Sequence, residues 1–226
     1  GKQLLLTRDV TMLEQAEAMR RDFVANVSHE IRTPLTVLSG FVETIQTLPL
    51  SDEEKTHYLA LMATQAHRMQ GLVEDLLTLS RLEGSPTPSL HQVVPLSRLM
   101  QACEQEAKGL SATLGQGDVA HHIHFVVNPA LSDVVLMGEG RELQSALSNL
   151  VSNAVRYTPV GGDVHVSADQ GIDGSLIVEV RDSGAGIAAE HLPRLTERFY
   201  RVDRSRSRES GDTGLGLAIV THVMHR

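Results

Sequence analysis

Six apolar residues, Val27, Ile31, Leu35, Leu38, Val42 and Ile45, recur at spacings of four, four, three, four and three. At roughly 100° per residue they fall on one narrow stripe, the pattern of a helix packed in a bundle or coiled coil. The helical pattern is nearly continuous from about Val10 to Leu48. Leu48-Pro49-Leu50-Ser51-Asp52-Glu53-Glu54 then signals a turn and a fresh helix start, with Ser51 or Asp52 as N-cap and acidic residues in the first turn. The second helix carries Tyr58, Leu61, Met62, Met69, Leu72, Val73, Leu76, Leu77 and Leu79, and is expected to stop near Gly84. Two long amphipathic helices with a short connection make a hairpin. It exposes too much apolar stripe to stay alone, so dimerisation into a four-helix bundle is expected.

Within the first helix stands His29-Glu30-Ile31-Arg32-Thr33-Pro34. His29 lies opposite the apolar stripe, facing solvent or a visiting domain, which fits poorly with an ordinary core histidine. Pro34 removes the helical hydrogen bond to the Glu30 carbonyl, at a cost of about 3 kcal/mol. A bend beside the histidine is therefore expected, with a tolerated kink as the plainer alternative. A zinc-protease His-Glu-x-x-His motif fails, because Thr33 stands where the second histidine belongs.

The 226 residues allow one or two domains, and 41% hydrophobic content is enough for real cores. A net charge of −8 with interspersed signs argues against nucleic-acid binding, with Arg201, Arg204, Arg206 and Arg208 the local exception. The single Cys103 excludes a disulfide framework and a thiolate metal site, and fits a reducing compartment. No signal peptide or membrane-length apolar run is present, so any membrane attachment is expected through segments outside this chain.

Gln3 to Thr7 reads as a short strand, and Gly84-Ser85-Pro86-Thr87-Pro88-Ser89 as a linker. Beyond it the pattern predicts helices over Leu96–Leu110 and Arg141–Tyr157. Strands are predicted over His122–Val127, Val164–Ala168 and Leu176–Arg181. Without regular βαβ alternation, this suggests an α+β sandwich. His121, His122 and His124 are metal-ligand candidates by residue type, but three histidines beside a strand usually stay on the surface.

No P-loop is present. Three other clusters suit a nucleotide. Asn149 and Asn153 share one helix face, with Arg156 extending its polar side, and hard oxygen ligands there suit Mg²⁺. Asp182-Ser183-Gly184-Ala185-Gly186 follows a strand; its glycines allow close backbone approach and its carboxylate can accept from a base amine. Gly211-Asp212-Thr213-Gly214-Leu215-Gly216 opens a helix whose amides favour phosphate. Singly, each has an ordinary reading as a cap, a turn or a helix start.

In order and spacing together, these motifs resemble the catalytic core of bacterial sensor histidine kinases, from about Val10 to the last residue. His29 to Pro34 is similar to the family's phosphoacceptor box, and the Asn149–Asn153 helix to its N box. Asp182 to Gly186 is similar to the G1 box, Glu197-Arg198-Phe199-Tyr200-Arg201 to the F box and Gly211 to Leu217 to the G2 box. Leu4 to Thr11 with Arg20 to Phe23 looks most like phosphate-regulon sensor kinases. The resemblance implies a multidomain fold: an all-α dimerisation and histidine-phosphotransfer hairpin over 10–84, a linker over 85–92, and a Bergerat-type ATP-binding sandwich over 93–226. Residues 1–9 would be the remnant of a PAS-like sensor domain. The chain would be the cytoplasmic portion of an inner-membrane sensor.

The resemblance also implies roles. His29 would attack the γ-phosphate of ATP, since an imidazole with the ordinary pKa of about 6.5 keeps a free lone pair at neutral pH. Glu30 would accept from the other ring nitrogen. The phosphoryl group would pass to an aspartate of a response-regulator receiver domain. Thr33 would hold a water for dephosphorylating that regulator, or else simply bond back to a helix carbonyl. Asn153 and Asn149 would hold Mg²⁺ and phosphates, with Arg156 and Tyr157 flanking them, and Asp182 would take the adenine amine through the turn of Gly184 and Gly186. Phe199 to Thr213 would form a lid, with Arg201 reaching the γ-phosphate, and Thr213, Gly214, Leu215 and Gly216 would complete the phosphate loop.

Three departures stand out. Asp212 occupies a position where the family often has glycine, and would either loosen phosphate binding or face water. Arg156 replaces a common lysine, which keeps charge and changes geometry. The family's closing strand hairpin is not found before Arg226, so the ATP domain is expected to be incomplete at its C-terminus. Two rivals remain: a dimeric scaffold that docks a regulator without transfer, and a gyrase- or Hsp90-like ATPase. Intact His29, Asn153 and Asp182 argue against the first, and the histidine hairpin against the second.

Overall fold

The computed structural model describes residues 11–86, 92–115, 119–202 and 212–226. The expected strand at Gln3 to Thr7, most of the linker and the middle of the expected lid lie outside them. Backbone packing divides the chain into two units, Gly1–Val73 and Glu74–Arg226.

The first unit holds helix α1, Thr11–Thr47, and the greater part of helix α2, Asp52–Gly84. α1 runs through Pro34 as one helix, and Pro34 itself is buried. The start of α2 is a capping box. The Glu54 N–H donates to Ser51 Oγ at 3.2 Å, while the Ser51 N–H donates to Glu54 Oε2 at 2.8 Å. Of the two N-cap candidates, Ser51 takes the role. Phe41 and Tyr58 pack with ring centroids 5.6 Å apart and tie the two helices together. Val27, Ile31, Leu38 and Ile45 are half-buried within the single chain, whereas Leu35 and Val42 are exposed.

The second unit is a two-layer α/β structure. Strand β1 (Val93–Pro95) pairs antiparallel with β3 (Val135–Met137). Strands β2 (His122–Val127), β4 (Asp163–Gln170) and β5 (Leu176–Asp182) form a sheet in the order β2-β4-β5. β2 is parallel to β4, and β4 is antiparallel to β5. Val164, Val166 and Ala168 alternate into the core beneath helices α3 (Leu96–Leu114) and α4 (Gly140–Tyr157). α3 contributes Leu96, Leu99, Met100, Cys103 and Ala107, and α4 contributes Leu147, Val151, Ala154 and Val155. Helix α5 (Gly216–Met224) packs on α4 through buried Ala218 and Ile219.

α3 extends to Leu114, beyond the expected end at Leu110, because Ser111 is anchored. Its hydroxyl accepts from the His121 N–H at 3.0 Å and lies 2.8 Å from His121 Nδ1. His121 Nε2 bonds the Thr158 carbonyl at 3.0 Å. His121 is thus a buried structural residue, contrary to its surface assignment with His122 and His124.

Candidate functional site

α1 carries the first group of predicted residues. His29 is exposed, as its position opposite the apolar stripe requires. Glu30 pairs with Arg68 of α2 at 3.5 Å within the same unit, with both side chains mostly covered. Thr33 lies four residues beyond His29, on the same face, and its hydroxyl donates to the His29 carbonyl at 3.1 Å.

The nucleotide residues converge within the second unit. Asn149, Asn153 and Tyr157 follow at i, i+4 and i+8 on the face of α4 opposite its buried stripe. Asn149 Nδ2 donates to the Ser145 carbonyl at 2.9 Å, which turns its amide oxygen toward the start of α5. There a Cβ added to Gly216 would lie 2.4 Å from Asn149 Oδ1, so only glycine fits that approach. Asp182, exposed at the end of β5, accepts from the Gly184 N–H at 2.8 Å and shapes the turn toward Gly186.

Asp212 organises the remainder. Tyr157 Oη donates to Asp212 Oδ2 at 2.8 Å, and the Gly214 N–H donates to Oδ1 at 3.0 Å. Arg201 Nη2 donates to the Asp212 carbonyl at 2.5 Å. The carboxylate therefore does not simply face water; it ties α4 to the glycine-rich loop. Phe199 closes the loop from the other side: its N–H donates to the Gly214 carbonyl at 2.7 Å. Phe199 has φ +61° and Gly214 has φ +70°. A left-handed phenylalanine is a sparsely populated conformation, held here by its contact on the loop.

One participant was missed from the sequence. Thr213 Oγ1 donates to Asp75 Oδ2 at 2.6 Å, both within the second unit. Burial pushes the Asp75 carboxyl above the ordinary carboxylate range. The Thr213 hydroxyl opposes this, Asp212 and Glu74 add to it, and Arg156 opposes it. The signal was in the spacing: Leu72, Asp75, Leu79 and Leu82 follow at three, four and three, and the three leucines are buried. An acid on a buried helix seam is a candidate for function.

With this geometry in place, comparison with known proteins identifies both parts. Residues 19–85 match the His Kinase A (phospho-acceptor) domain. Residues 138–226 match the histidine kinase-, DNA gyrase B- and HSP90-like ATPase. The chain belongs to the histidine-kinase family. The chain is 46% identical over 229 aligned positions to the phosphate regulon sensor protein PhoR of Pseudomonas aeruginosa, covering 100% of this chain and 49% of that protein. It thus spans about half the length of the curated relatives it matches. Among solved structures, the histidine kinase AdeS of Acinetobacter baumannii superposes with a TM-score of 0.64 at 23% identity, covering 87% of this chain and 86% of that one. Full-length ShkA in complex with AMPPNP gives a TM-score of 0.58 at 27% identity, covering 90% of this chain and 40% of that one. An ATP-binding domain and a phosphoacceptor domain thus occur in one chain. Among the described residues no helix is long and apolar enough to cross a membrane.

Proposed function

We propose that this chain is the catalytic core of a two-component sensor kinase that phosphorylates His29 from Mg-ATP and passes the phosphoryl group to an aspartate of a response regulator. The observation that carries this reading is the exposed His29, on a helical hairpin of phosphoacceptor type, in the same chain as an ATPase domain. The name of the Pseudomonas relative supports phosphate availability as the signal of the whole protein.

His29 supplies the nucleophilic nitrogen. Glu30, oriented by Arg68, stabilises the imidazolium that develops as the bond to phosphorus forms. Asp182 accepts from the adenine amine, and the N-terminal amides of α5 with Arg156 and Arg201 surround the phosphates. Asn153 offers a hard oxygen to Mg²⁺. Asn149, seated against Gly216, chiefly positions the start of α5. Mg²⁺ neutralises charge on the phosphates in such sites. Thr33, one turn beyond His29 with its hydroxyl on the His29 carbonyl, would hold a water that attacks a regulator's phosphoaspartate and releases inorganic phosphate, a hydrolysis distinct from the transfer step.

Exposed Leu35, Val42, Leu59 and Val73 support a homodimer formed through the hairpin. The need for ATP and the free, buried Cys103 support a cytoplasmic setting, with attachment to the inner membrane through other parts of the whole protein. We assign residues 10–84 to dimerisation and phosphotransfer, 85–92 to a linker and 93–226 to ATP binding.

Incubation with Mg-ATP labelled at the γ-phosphate tests the reading. Acid-labile, alkali-stable label on the wild-type chain, absent from His29→Ala and Asn153→Ala, is expected. Equal label on His29→Ala would overturn it.

A further inference from the structure

The outer face of the β2-β4 pair carries an unassigned group of side chains. Inward residues of these strands alternate into the core, so His122, His124, Asp163 and His165 point outward and are exposed. In the parallel register His122 stands opposite Asp163, and His124 opposite His165. The four form two adjacent cross-strand pairs on one surface. The His124 and His165 rings stack with centroids 4.6 Å apart and an interplanar angle of 16°. His122 Nδ1 lies 3.5 Å from Asp163 Oδ1. One ligand atom each from His124, Asp163 and His165 lie within 4.8 Å of one another.

We infer that His124, Asp163 and His165 form a surface site for a borderline transition-metal dication of the zinc class, separate from the nucleotide residues. Two imidazole nitrogens and one carboxylate oxygen are a donor set that suits zinc, copper and nickel. Calcium and magnesium favour oxygen donors, so a site with two imidazoles disfavours them. A tetrahedral ion with bonds of about 2.0 Å separates its donor atoms by roughly 3.3 Å. Reaching that spacing requires only side-chain rotation, because all three residues are exposed while their backbones are held by the sheet ladder. The fourth position is open to water or to His122. The neighbouring cation is accounted for: Arg181, paired with His165 from β5, donates to Glu179 Oε1 at 2.7 Å. Its charge is therefore shared with a carboxylate on its own strand.

The sequence gives the same three residues no common motif. His124 and His165 are separated by a crossover that contains β3 and α4, and the parallel register of β2 on β4 brings them together. Of the three histidines grouped by residue type, His121 turns into the core, and the cross-strand partner of His124 comes from β4.

Titration of the untagged full chain with zinc chloride by calorimetry tests the site, with cobalt(II) as a spectroscopic probe. One zinc per chain is expected, with the visible absorption of tetrahedral cobalt. His124→Ala, His165→Ala and Asp163→Asn should each weaken zinc binding about tenfold or more, since even partners outside the ligand set cost 10–100-fold in established metal sites. His67→Ala, an exposed histidine on α2, should leave it unchanged. Absence of saturable zinc binding, or equal binding by wild type, His124→Ala and His165→Ala, would overturn the assignment.

Discussion

Asp75 shows how a single residue couples packing to the nucleotide loop. Its carboxyl is held above the ordinary range chiefly by burial, so the folded chain retains a proton that the unfolded chain releases. Stability therefore falls as pH rises from the ordinary value of 3.8 through the raised folded value, and the burial cost is fully present above that folded value. Asp75→Asn keeps an acceptor for Thr213 and removes the charge. Its Tm should exceed the wild type above the folded value, with the gap closing as pH falls through that value toward 3.8; a gap independent of pH would contradict the assignment. Gly216→Ala would press a methyl against the Asn149 amide, with the Cβ only 2.4 Å from its oxygen. Overpacking of this kind costs about 1–3 kcal/mol, so calorimetry should show a lower Tm together with weaker ATP binding. Glu30→Gln should slow phosphorylation of His29 by about 10²-fold, the scale of acid–base and orienting groups, with ATP affinity unchanged. The roles of Asp75 and His121 were hard to read from sequence for one reason. An acid in a helix and a histidine among histidines both read as solvated unless the buried seam is counted first.

Among the elements, the long ones were legible and the short ones were not. The three-four spacing of α1 and the Ser51–Glu54 start of α2 carry their own physical signature, and the capping box forms as that signature requires. Ser51→Ala should cost about 1 kcal/mol, read as an earlier thermal transition of the hairpin. β2 was legible over its full length because His122–Val127 alternates six residues between the two faces. β1 and β3 have three residues each, too few for alternation to distinguish a strand from a loop. Their pairing depends on a partner forty residues away, information that local spacing does not hold. The glycine-rich loop lies between these cases. Its helix was expected, but the clasp of Tyr157 and Arg201 on Asp212 arises from α4 and the loop meeting in three dimensions.

At the scale of the molecule, one chain carries a phosphoacceptor hairpin and an ATPase domain, and the hairpin's exposed apolar residues are expected to meet a second copy. Sedimentation should show a dimer that dissociates on Leu35→Asp with Val42→Asp, since both side chains are exposed in the single chain; a wild-type monomer at all concentrations would remove the bundle from the account. Phosphoryl transfer is expected at one ring nitrogen of His29. Ser28 adjoins His29, and its hydroxyl donates to the Val24 carbonyl at 2.8 Å, so a phosphorylated hairpin must be resolved between two neighbouring residues. Mass spectrometry of the tryptic peptide Asp22–Arg32, prepared under alkaline conditions after incubation with Mg-ATP, makes that distinction. One phosphoryl group on His29, lost on brief acid treatment, is the predicted result; an acid-stable phosphoryl group on Ser28 would contradict it.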